Sequence, residues 1–377
     1  MKELYKTLEM LLQNTSDEKA KNDLSQIFGE YYQQFPEKYS QKFDGFIEQN
    51  NKFKNKQNNS NSKDDEQSEN LPKISLPNIQ KITEMLETSL ILPMLATDLI
   101  NCLHSSDDNE VDTKQLAKFI AQEQPVVIRV LRIANSPFYG LSRQVDSLET
   151  AIVVLGIRTI RTLVLNVTVV ASLKPPTCEL FDCEAFWQHS LAVAVASRLI
   201  ARLYGGSSEL AFTAGLLHDI GRLALAGCFQ QEYNHVLKYK QAHNCTLLDA
   251  ENLILNLTHQ QIGKILAKNW RLPKSLEAVI SFHHLPTLLQ TKLQEKQNIS
   301  DKLKTELLEF CDIVHLANIF TTLMKLPTNQ KNEFVNILAV DGKSWERFTS
   351  KVKIEKILDL LPKIEQDFEE ISQALLG

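Results

Sequence analysis

The stretch GLLHDIGR, residues 215–222, places a neighbouring histidine and aspartate, His218 and Asp219, inside an otherwise apolar segment. Imidazole and carboxylate groups are preferred ligands of borderline divalent metals in proteins. An adjacent His-Asp pair at a helix end points two unlike ligands into one crevice, and a carboxylate can bridge two ions. The pair therefore predicts a polar site where the ends of packed helices meet.

Helical periodicity surrounds this stretch on both sides. From about residue 76 to about residue 290, apolar residues recur at helical spacing, and no strand alternation competes with that pattern. Short breaks at Asn135-Ser136-Pro137 and Gly205-Gly206 separate the helical segments. Four helices are predicted in the first half of this region: Asp112 to Ala121, Pro125 to Ala134, Leu148 to Leu155 and Thr159 to Ser172. The pattern predicts an all-α fold, with Ser147 as a candidate N-cap of the third helix.

The chain is predicted to divide into four segments. Residues 49–70 contain a single apolar side chain, Phe53, and therefore cannot bury enough surface to offset the entropy of ordering. Amphipathic spacing precedes this stretch and returns after the polar residues 288–304. The predicted segments are a helical N-terminal module (1–48), a flexible polar linker (49–75), a multi-helix domain (76–290) and a helical C-terminal extension (291–377).

Composition and charge narrow the function classes. A formal net charge of -5 gives no global electrostatic reason to expect nucleic-acid binding. The six cysteines include no CxxC pair, which disfavours a disulfide framework and fits a reducing cytoplasm. The apolar stretch Ala151–Leu173 contains Arg158 and Arg161, so it predicts a buried helix pair and no membrane span. The N-terminus, with charges in every apolar run, predicts no secretory signal.

The histidines form an ordered series along the helical segments. A single histidine on an apolar helix is usually a partly buried residue bonded to a carbonyl, whereas six ligand positions in series favour a metal site. The series predicts one or two divalent ions of iron, manganese, zinc or nickel, held by His189, His218, Asp219, His259, His283 and His284. Four other histidines are predicted to be surface or core residues outside the site: His104, His235, His243 and His315.

Several stretches carry a resemblance to a known family. GLLHDIGR, preceded by FWQHSLA at residues 186–192, resembles the core of the HD phosphohydrolase superfamily. IRVLRIANSPFYG at 128–140 is similar to the HDOD family, as are LPM at 92–94, AQEQP at 121–125 and SLETAIVVLG at 147–156. The resemblance covers roughly residues 76–290. It implies a two-lobed helical bundle, with the NSPFYG turn in the first lobe and an HD-like second lobe, in a family composed mainly of bacterial signalling regulators.

The resemblance also implies a ligand pattern. HD-type centres use a histidine, a His-Asp pair and a later aspartate, which correspond here to His189, His218, Asp219 and the position of Asn318. Asparagine keeps an oxygen donor but loses the negative charge, which weakens the hold on a dication. The remaining histidines, at 259, 283 and 284, stand where related HD-GYP phosphodiesterases complete a binuclear site.

Two functions from different classes follow from these observations. The first is a non-catalytic regulatory module that acts through a protein partner, with or without a structural metal. The alternative is a metal-dependent phosphohydrolase or cyclic-dinucleotide phosphodiesterase. A nucleotide ligand and an oligomeric assembly are compatible with the sequence in either case. Arg222 is interpreted as a solvent-facing or helix-terminal residue in preference to a phosphate ligand. Phe138 and Tyr139 are predicted to pack between the lobes.

Overall fold

The computed structural model describes residues 12, 15–34, 76–104, 120–173, 176–243, 245–324, 326 and 340–376. These residues form α-helices joined by short loops and one 3-10 turn, Pro137–Tyr139, and the described ranges contain no strand. The all-α prediction is confirmed. The predicted linker, residues 49–75, lies outside the described residues, as does most of the predicted helix Asp112 to Ala121.

The first lobe packs around one long apolar helix, and its helices follow the predicted pattern closely. Its helices are α3 (Met94–His104), α4 (Gln124–Ala134), α5 (Leu148–Leu155) and α6 (Ile157–Ser172). Ser147 caps α5 as predicted, since its side chain accepts a hydrogen bond from the Thr150 backbone. Helix α6 begins two residues earlier than predicted because Gly156, at a φ of 84°, ends one helix and immediately permits the next.

The break at Gly156 divides the long apolar stretch into two helices of the first lobe, as predicted, but only α6 is mostly buried, since α5 exposes Val153 and Val154. Within the described part of the chain, no helix is both long enough and apolar enough to cross a membrane.

The second lobe surrounds two long helices, α7 (Cys183–Tyr204) and α15 (Asp301–Leu323), which are mostly buried. Its shorter helices are α8 (Ser208–Leu217), α9 (Ile220–Cys228), α10 (Gln230–His243), α11 (Leu247–Leu255), α12 (His259–Asn269), α13 (Lys274–Phe282) and α14 (Pro286–Gln294). Helix α2 (Ile79–Ser89) precedes the first lobe in sequence but packs against α9 and α12. The second lobe therefore brings many helix ends close together around its two long helices.

The two ends of the described chain lie against each other. Helix α1 (Glu18–Gln34) packs on α16 (Gly342–Lys351) and α17 (Ile354–Leu375). The rings of Phe28 and Phe320 are 5.9 Å apart, and the Trp345 indole donates a hydrogen bond to Asp23. The amphipathic face of α1 is thus buried by the C-terminal helices and by α15, while the segment boundaries at residues 48, 75 and 290 stay predictions.

The NSPFYG turn joins the lobes. The guanidinium carbon of Arg198, on α7, lies 4.3 Å from the ring centroid of Phe138 and 4.7 Å from that of Tyr139. Arg198 also forms an ion pair with Glu209 at 3.1 Å, and Phe138 packs against Phe212. This is the inter-lobe packing predicted for the two aromatic rings, with a cation–π contact added to it.

A glycine allows the closest approach between two helices near the His-Asp pair. A Cβ atom added at Gly221, on α9, would lie 1.9 Å from the carbonyl oxygen of His259 and 2.8 Å from the backbone nitrogen of Gly263. Both contacts are with backbone atoms of α12, so they cannot be relieved by turning a side chain. Gly221 therefore sets the distance between α9 and α12.

We expect Gly221→Ala to lower the free energy of unfolding by about 3 kcal/mol or more, because α9 and α12 must separate. Urea denaturation followed by circular dichroism measures the loss. Gly227→Ala is the matched control: it lies on the same helix with no atom within 4 Å of its added Cβ, so it should be neutral or slightly stabilising. Equal effects of the two variants would contradict this account of the helix contact.

Candidate metal centre

The residues predicted for the site come from helix ends and from the two long helices. Asp219 stands between α8 and α9, where one helix ends and the next begins, and His259 is the first residue of α12. The structure brings together all seven predicted positions: His189 on α7, His218 and Asp219 after α8, His259 on α12, His283 and His284 after α13, and Asn318 on α15. They form two groups that share the Asp219 carboxylate.

The four-ligand group consists of Asp219, His259, His283 and His284. One carboxylate oxygen, Asp219 Oδ1, lies 3.3 Å from the Nε2 atoms of both His259 and His283. The Nε2 atoms of His259 and His284 are 3.1 Å apart. Two nitrogen ligands of one tetrahedral ion, each at about 2.1 Å, would be roughly 3.4 Å apart. The observed separations therefore suit ligands of one common ion.

The three-ligand group consists of His189, His218 and Asp219. Here the other carboxylate oxygen, Asp219 Oδ2, is 3.6 Å from His218 Nε2. The rings of His189 and His218 meet edge to face with centroids 5.5 Å apart, and the Asn318 side chain hydrogen-bonds His189. The two oxygens of Asp219 thus face different groups, which allows one or two ions.

Three of the histidines share one arrangement, in which Nδ1 faces an acceptor of the protein and Nε2 faces the site. The pairs are His218 with the Gly215 carbonyl (2.7 Å), His283 with the Val279 carbonyl (3.1 Å) and His259 with the Glu251 carboxylate (2.8 Å). Such acceptors hold the ring proton on Nδ1 and leave Nε2 as a lone-pair donor. This is the outer hydrogen bonding that accompanies metal-binding histidines.

Polar atoms without a well-aligned hydrogen bond converge on the same space. Among the described residues, His218 Nε2, Asp219 Oδ1 and His283 Nε2 are buried and lack one. Buried polar atoms without partners are costly, and these three face one another's groups. An ion in the four-ligand group would satisfy Asp219 Oδ1 and His283 Nε2, and an ion in the three-ligand group would satisfy His218 Nε2. The nitrogen and oxygen donors suit zinc, iron, manganese or nickel. The residues present therefore fit a metal ion.

The electrostatics of the site suit metal binding at His189, His218 and Asp219, whereas His259 is protonated near pH 7 until an ion replaces its proton. Burial lowers the pKa of His189 to about 4 and that of His218 to about 3, so both are neutral near pH 7. Burial raises the pKa of Asp219, but His218 and Arg222 outweigh it and leave that pKa well below its usual value. Burial lowers the pKa of His259, and Glu251 and Asp219 together raise it to about 9. Neutral imidazoles and an ionised carboxylate are the ligand forms that bind metal, so an ion that binds His259 must displace a proton from its ring.

Arg222 lies in the first turn of α9, in keeping with its interpretation as a helix-terminal residue, but its side chain faces Asp219 and not open solvent. Its Nη1 donates to Asp219 Oδ2 at 2.8 Å, and only 24% of its side chain is exposed. The pairing is local, because the two residues stand three apart at the start of α9. Arg222 therefore neutralises the one carboxylate that the two groups share.

Glu251 was missed by sequence reasoning. It is fully buried on α11, and its Oε2 accepts a hydrogen bond from the backbone nitrogen of His259 at 2.8 Å as well as facing the ring. The sequence did indicate that residue 251 is buried, since it falls on the apolar face of α11 beside Ile254 and Leu255. A carboxylate at a buried helical position indicates a specific polar partner.

Three of the other histidines, His235, His243 and His315, lie apart from the two groups, as predicted. His235 and His243 are exposed on α10 and bond carbonyls one turn back, and the side chain of His104 lies outside the described part. His315 is buried on α15, where its Nδ1 donates to the His283 carbonyl at 2.8 Å. Its Nε2 accepts from the Asp341 backbone at 3.0 Å, so it is a core residue that supports the site from behind.

Comparisons with known proteins agree with the observed fold. The HDOD domain model matches residues 92–286. An uncharacterised protein of Treponema pallidum (strain Nichols) is 20% identical over 195 residues, which are 51% of this chain and 37% of that protein. The chain thus spans little more than a third of that relative's length.

Solved structures share the fold at low identity. An HDOD domain protein of unknown function from Geobacter sulfurreducens is 22% identical with a TM-score of 0.61, covering 79% of this chain and 98% of that one. A candidate phosphohydrolase from Shewanella amazonensis SB2B is 22% identical with a TM-score of 0.59, covering 78% and 97%. A candidate signal transduction protein from Marinobacter aquaeolei VT8 is 17% identical with a TM-score of 0.57, covering 80% and 67%.

The buried His315 should make stability depend on pH. Burial lowers its pKa from 6.5 to about 4, so between these values the unfolded chain binds a proton that the folded chain does not. Stability is therefore fully present above pH 6.5 and falls as the pH falls toward 4, by on the order of 3 kcal/mol for this group.

His315→Gln keeps a donor and an acceptor but does not titrate. We expect it to be less stable than the natural protein at pH 7.5, with the difference shrinking by about 2 kcal/mol or more at pH 4.5. Urea denaturation at both pH values measures this. A difference that stays constant with pH would show that His315 is not held neutral by the fold.

Proposed function

The chain belongs to the HDOD family, and from that premise we propose that it is a regulatory signalling module in which a buried divalent metal joins helix ends without supporting turnover. When bound, the ion would cross-link α9, α12 and the end of α13. Its role in this proposal is to set the packing of the second lobe, and the output is binding to a protein partner.

The composition of the four-ligand group carries the proposal. It supplies four protein ligand atoms, which is enough to close the coordination of a tetrahedral ion. Structural zinc sites are closed in this way, whereas catalytic sites have three protein ligands and one open position. His259 and His283 are buried almost completely, which further separates this group from solvent.

The three-ligand group offers a second ion much less charge. Its carboxylate oxygen, Asp219 Oδ2, is already paired with Arg222, and Asn318 stands where the family pattern has an aspartate. Its remaining ligands are two imidazoles that burial keeps neutral. A site with so little negative charge holds a dication weakly, which disfavours chemistry that needs two ions at once.

Exposed apolar side chains support a protein partner. In and beside the first lobe, five large apolar residues are each more than half exposed: Ile91, Met94, Ile128, Val153 and Val154. Val153 is 84% exposed on α5, opposite the buried face of that helix. Contiguous exposed apolar patches are typical of surfaces that bind other proteins, and these residues are the candidates for such a patch.

A metal-dependent phosphohydrolase is the second candidate, and one observation favours it. The three-ligand group has the ligand number of a catalytic site, and both His189 and Arg222 beside it are partly exposed. Arg222 could then contact a phosphate with the guanidinium nitrogens that Asp219 does not use.

Elemental analysis and turnover assays separate the two candidates. We expect the purified protein to carry about one equivalent of divalent metal and to show no phosphodiesterase activity with added manganese or iron. His283→Ala should lose the metal, because it removes a ligand of the four-ligand group. His235→Ala, an exposed histidine on α10, should keep it. Metal-dependent turnover that His218→Ala abolishes would replace this proposal with the hydrolase.

Asn318→Asp tests the charge argument. The substitution places a carboxylate beside His189, so we expect the affinity for a second divalent ion to rise by about 10-fold to 100-fold. Isothermal titration with manganese measures the second binding step. Unchanged second-site affinity would mean that the missing negative charge does not limit binding there.

A further inference from the structure

Glu251 stands directly behind one ligand of the four-ligand group. The carboxylate is fully buried on α11, and its Oε2 lies 2.8 Å from both the backbone nitrogen and the Nδ1 atom of His259. On the opposite side of the same ring, His259 Nε2 faces Asp219 Oδ1 at 3.3 Å and His284 Nε2 at 3.1 Å. The imidazole is therefore held between a carboxylate and the site.

Capping of helix α12 accounts for only one of this carboxylate's two contacts, the hydrogen bond that it accepts from the His259 backbone. The start of α12 already has a capping box: the Thr258 side chain accepts from the Gln261 backbone, and the Gln261 side chain accepts from the Thr258 backbone. Within the described residues, Glu251 Oε1 is buried without a hydrogen-bond partner. Burying a carboxylate is expensive unless its charge is compensated, so the contact with the His259 ring needs a reason of its own.

The partner of His259 differs from those of the other ligands. The Nδ1 atoms of His218 and His283 face neutral backbone carbonyls, at 2.7 and 3.1 Å, whereas that of His259 faces an anion. A carboxylate acceptor fixes the tautomer and the ring plane, and it makes the distal nitrogen a stronger donor than a carbonyl acceptor does. Of these three imidazoles, His259 is therefore the strongest ligand for a dication.

We propose that Glu251 is a positioning residue that makes His259 the anchoring ligand of the four-ligand group. The inference rests on the proposed metal site. The Glu251 carboxylate contacts the His259 imidazole, and the imidazole in turn faces Asp219 and His284. The same carboxylate also accepts a hydrogen bond from the His259 backbone. Orientation and donor strength are thus supplied by one buried side chain from a neighbouring helix.

Two substitutions separate charge from shape. Glu251→Gln keeps an oxygen that can accept from the His259 backbone and ring but removes the negative charge, while Glu251→Ala removes both. We expect Co²⁺ affinity to fall about 10-fold in Glu251→Gln and about 100-fold in Glu251→Ala. The Co²⁺ absorption bands, which report the ligand set, should change in Glu251→Ala because His259 is free to turn.

Asp312→Asn is the matched control. Asp312 is also a fully buried carboxylate, paired with Arg347 through two hydrogen bonds of 2.7 and 2.6 Å, but it makes no contact with the two ligand groups. Asp312→Asn should lower the free energy of unfolding, measured by urea denaturation, because it removes the charge that pairs with Arg347. It should leave Co²⁺ affinity and absorption unchanged. This control distinguishes a general loss of stability from a specific effect on the ligand.

Co²⁺ titration of the full chain, with chelator competition and visible absorption, tests the role proposed for Glu251. Weakened binding in folded Glu251→Gln together with unchanged binding in Asp312→Asn supports the inference. Equal affinity and identical spectra in the natural protein and both Glu251 variants would overturn it while leaving the proposed metal site intact. No Co²⁺ binding by the natural protein would overturn the metal site, and with it the role of Glu251.

Discussion

The second lobe depends on one buried carboxylate with several positively charged or hydrogen-bonding neighbours. Asp219 faces His259 and His283 with one oxygen and His218 and Arg222 with the other. A buried carboxylate without such neighbours would be too costly to keep ionised. The ends of α8, α9, α12 and α13 can therefore meet at this point only because their charges and dipoles compensate one another.

The surrounding structure makes that meeting sterically feasible. Gly221 lets α9 approach the backbone of α12 at the residue that carries a ligand, and His315 holds the His283 carbonyl from behind. Asp341, whose backbone donates to His315, also accepts hydrogen bonds from Thr287 at the start of α14. The C-terminal helices are thus connected to the ligand histidines through a short series of buried hydrogen bonds.

Local patterns in the sequence were sufficient to predict much of the fold and to predict which polar side chains lie together in the second lobe. Helical periodicity predicted α5 to the residue, and the ordered histidines predicted which side chains converge around Asp219. Contacts between distant helices were not accessible, because periodicity shows which face is buried but not what covers it. For that reason Glu251 was missed, and neither the contact of Arg222 with Asp219 nor the packing of α1 on the C-terminal helices was predicted.

Zinc K-edge X-ray absorption on the zinc-loaded protein tests the central claim most directly, because it counts the ligands of the ion without requiring activity. A closed site formed by Asp219, His259, His283 and His284 predicts four nitrogen or oxygen neighbours at about 2.0–2.1 Å, with outer-shell scattering from three imidazole rings. A first shell composed mostly of water, with no imidazole scattering, would contradict the assignment of the ion to this group.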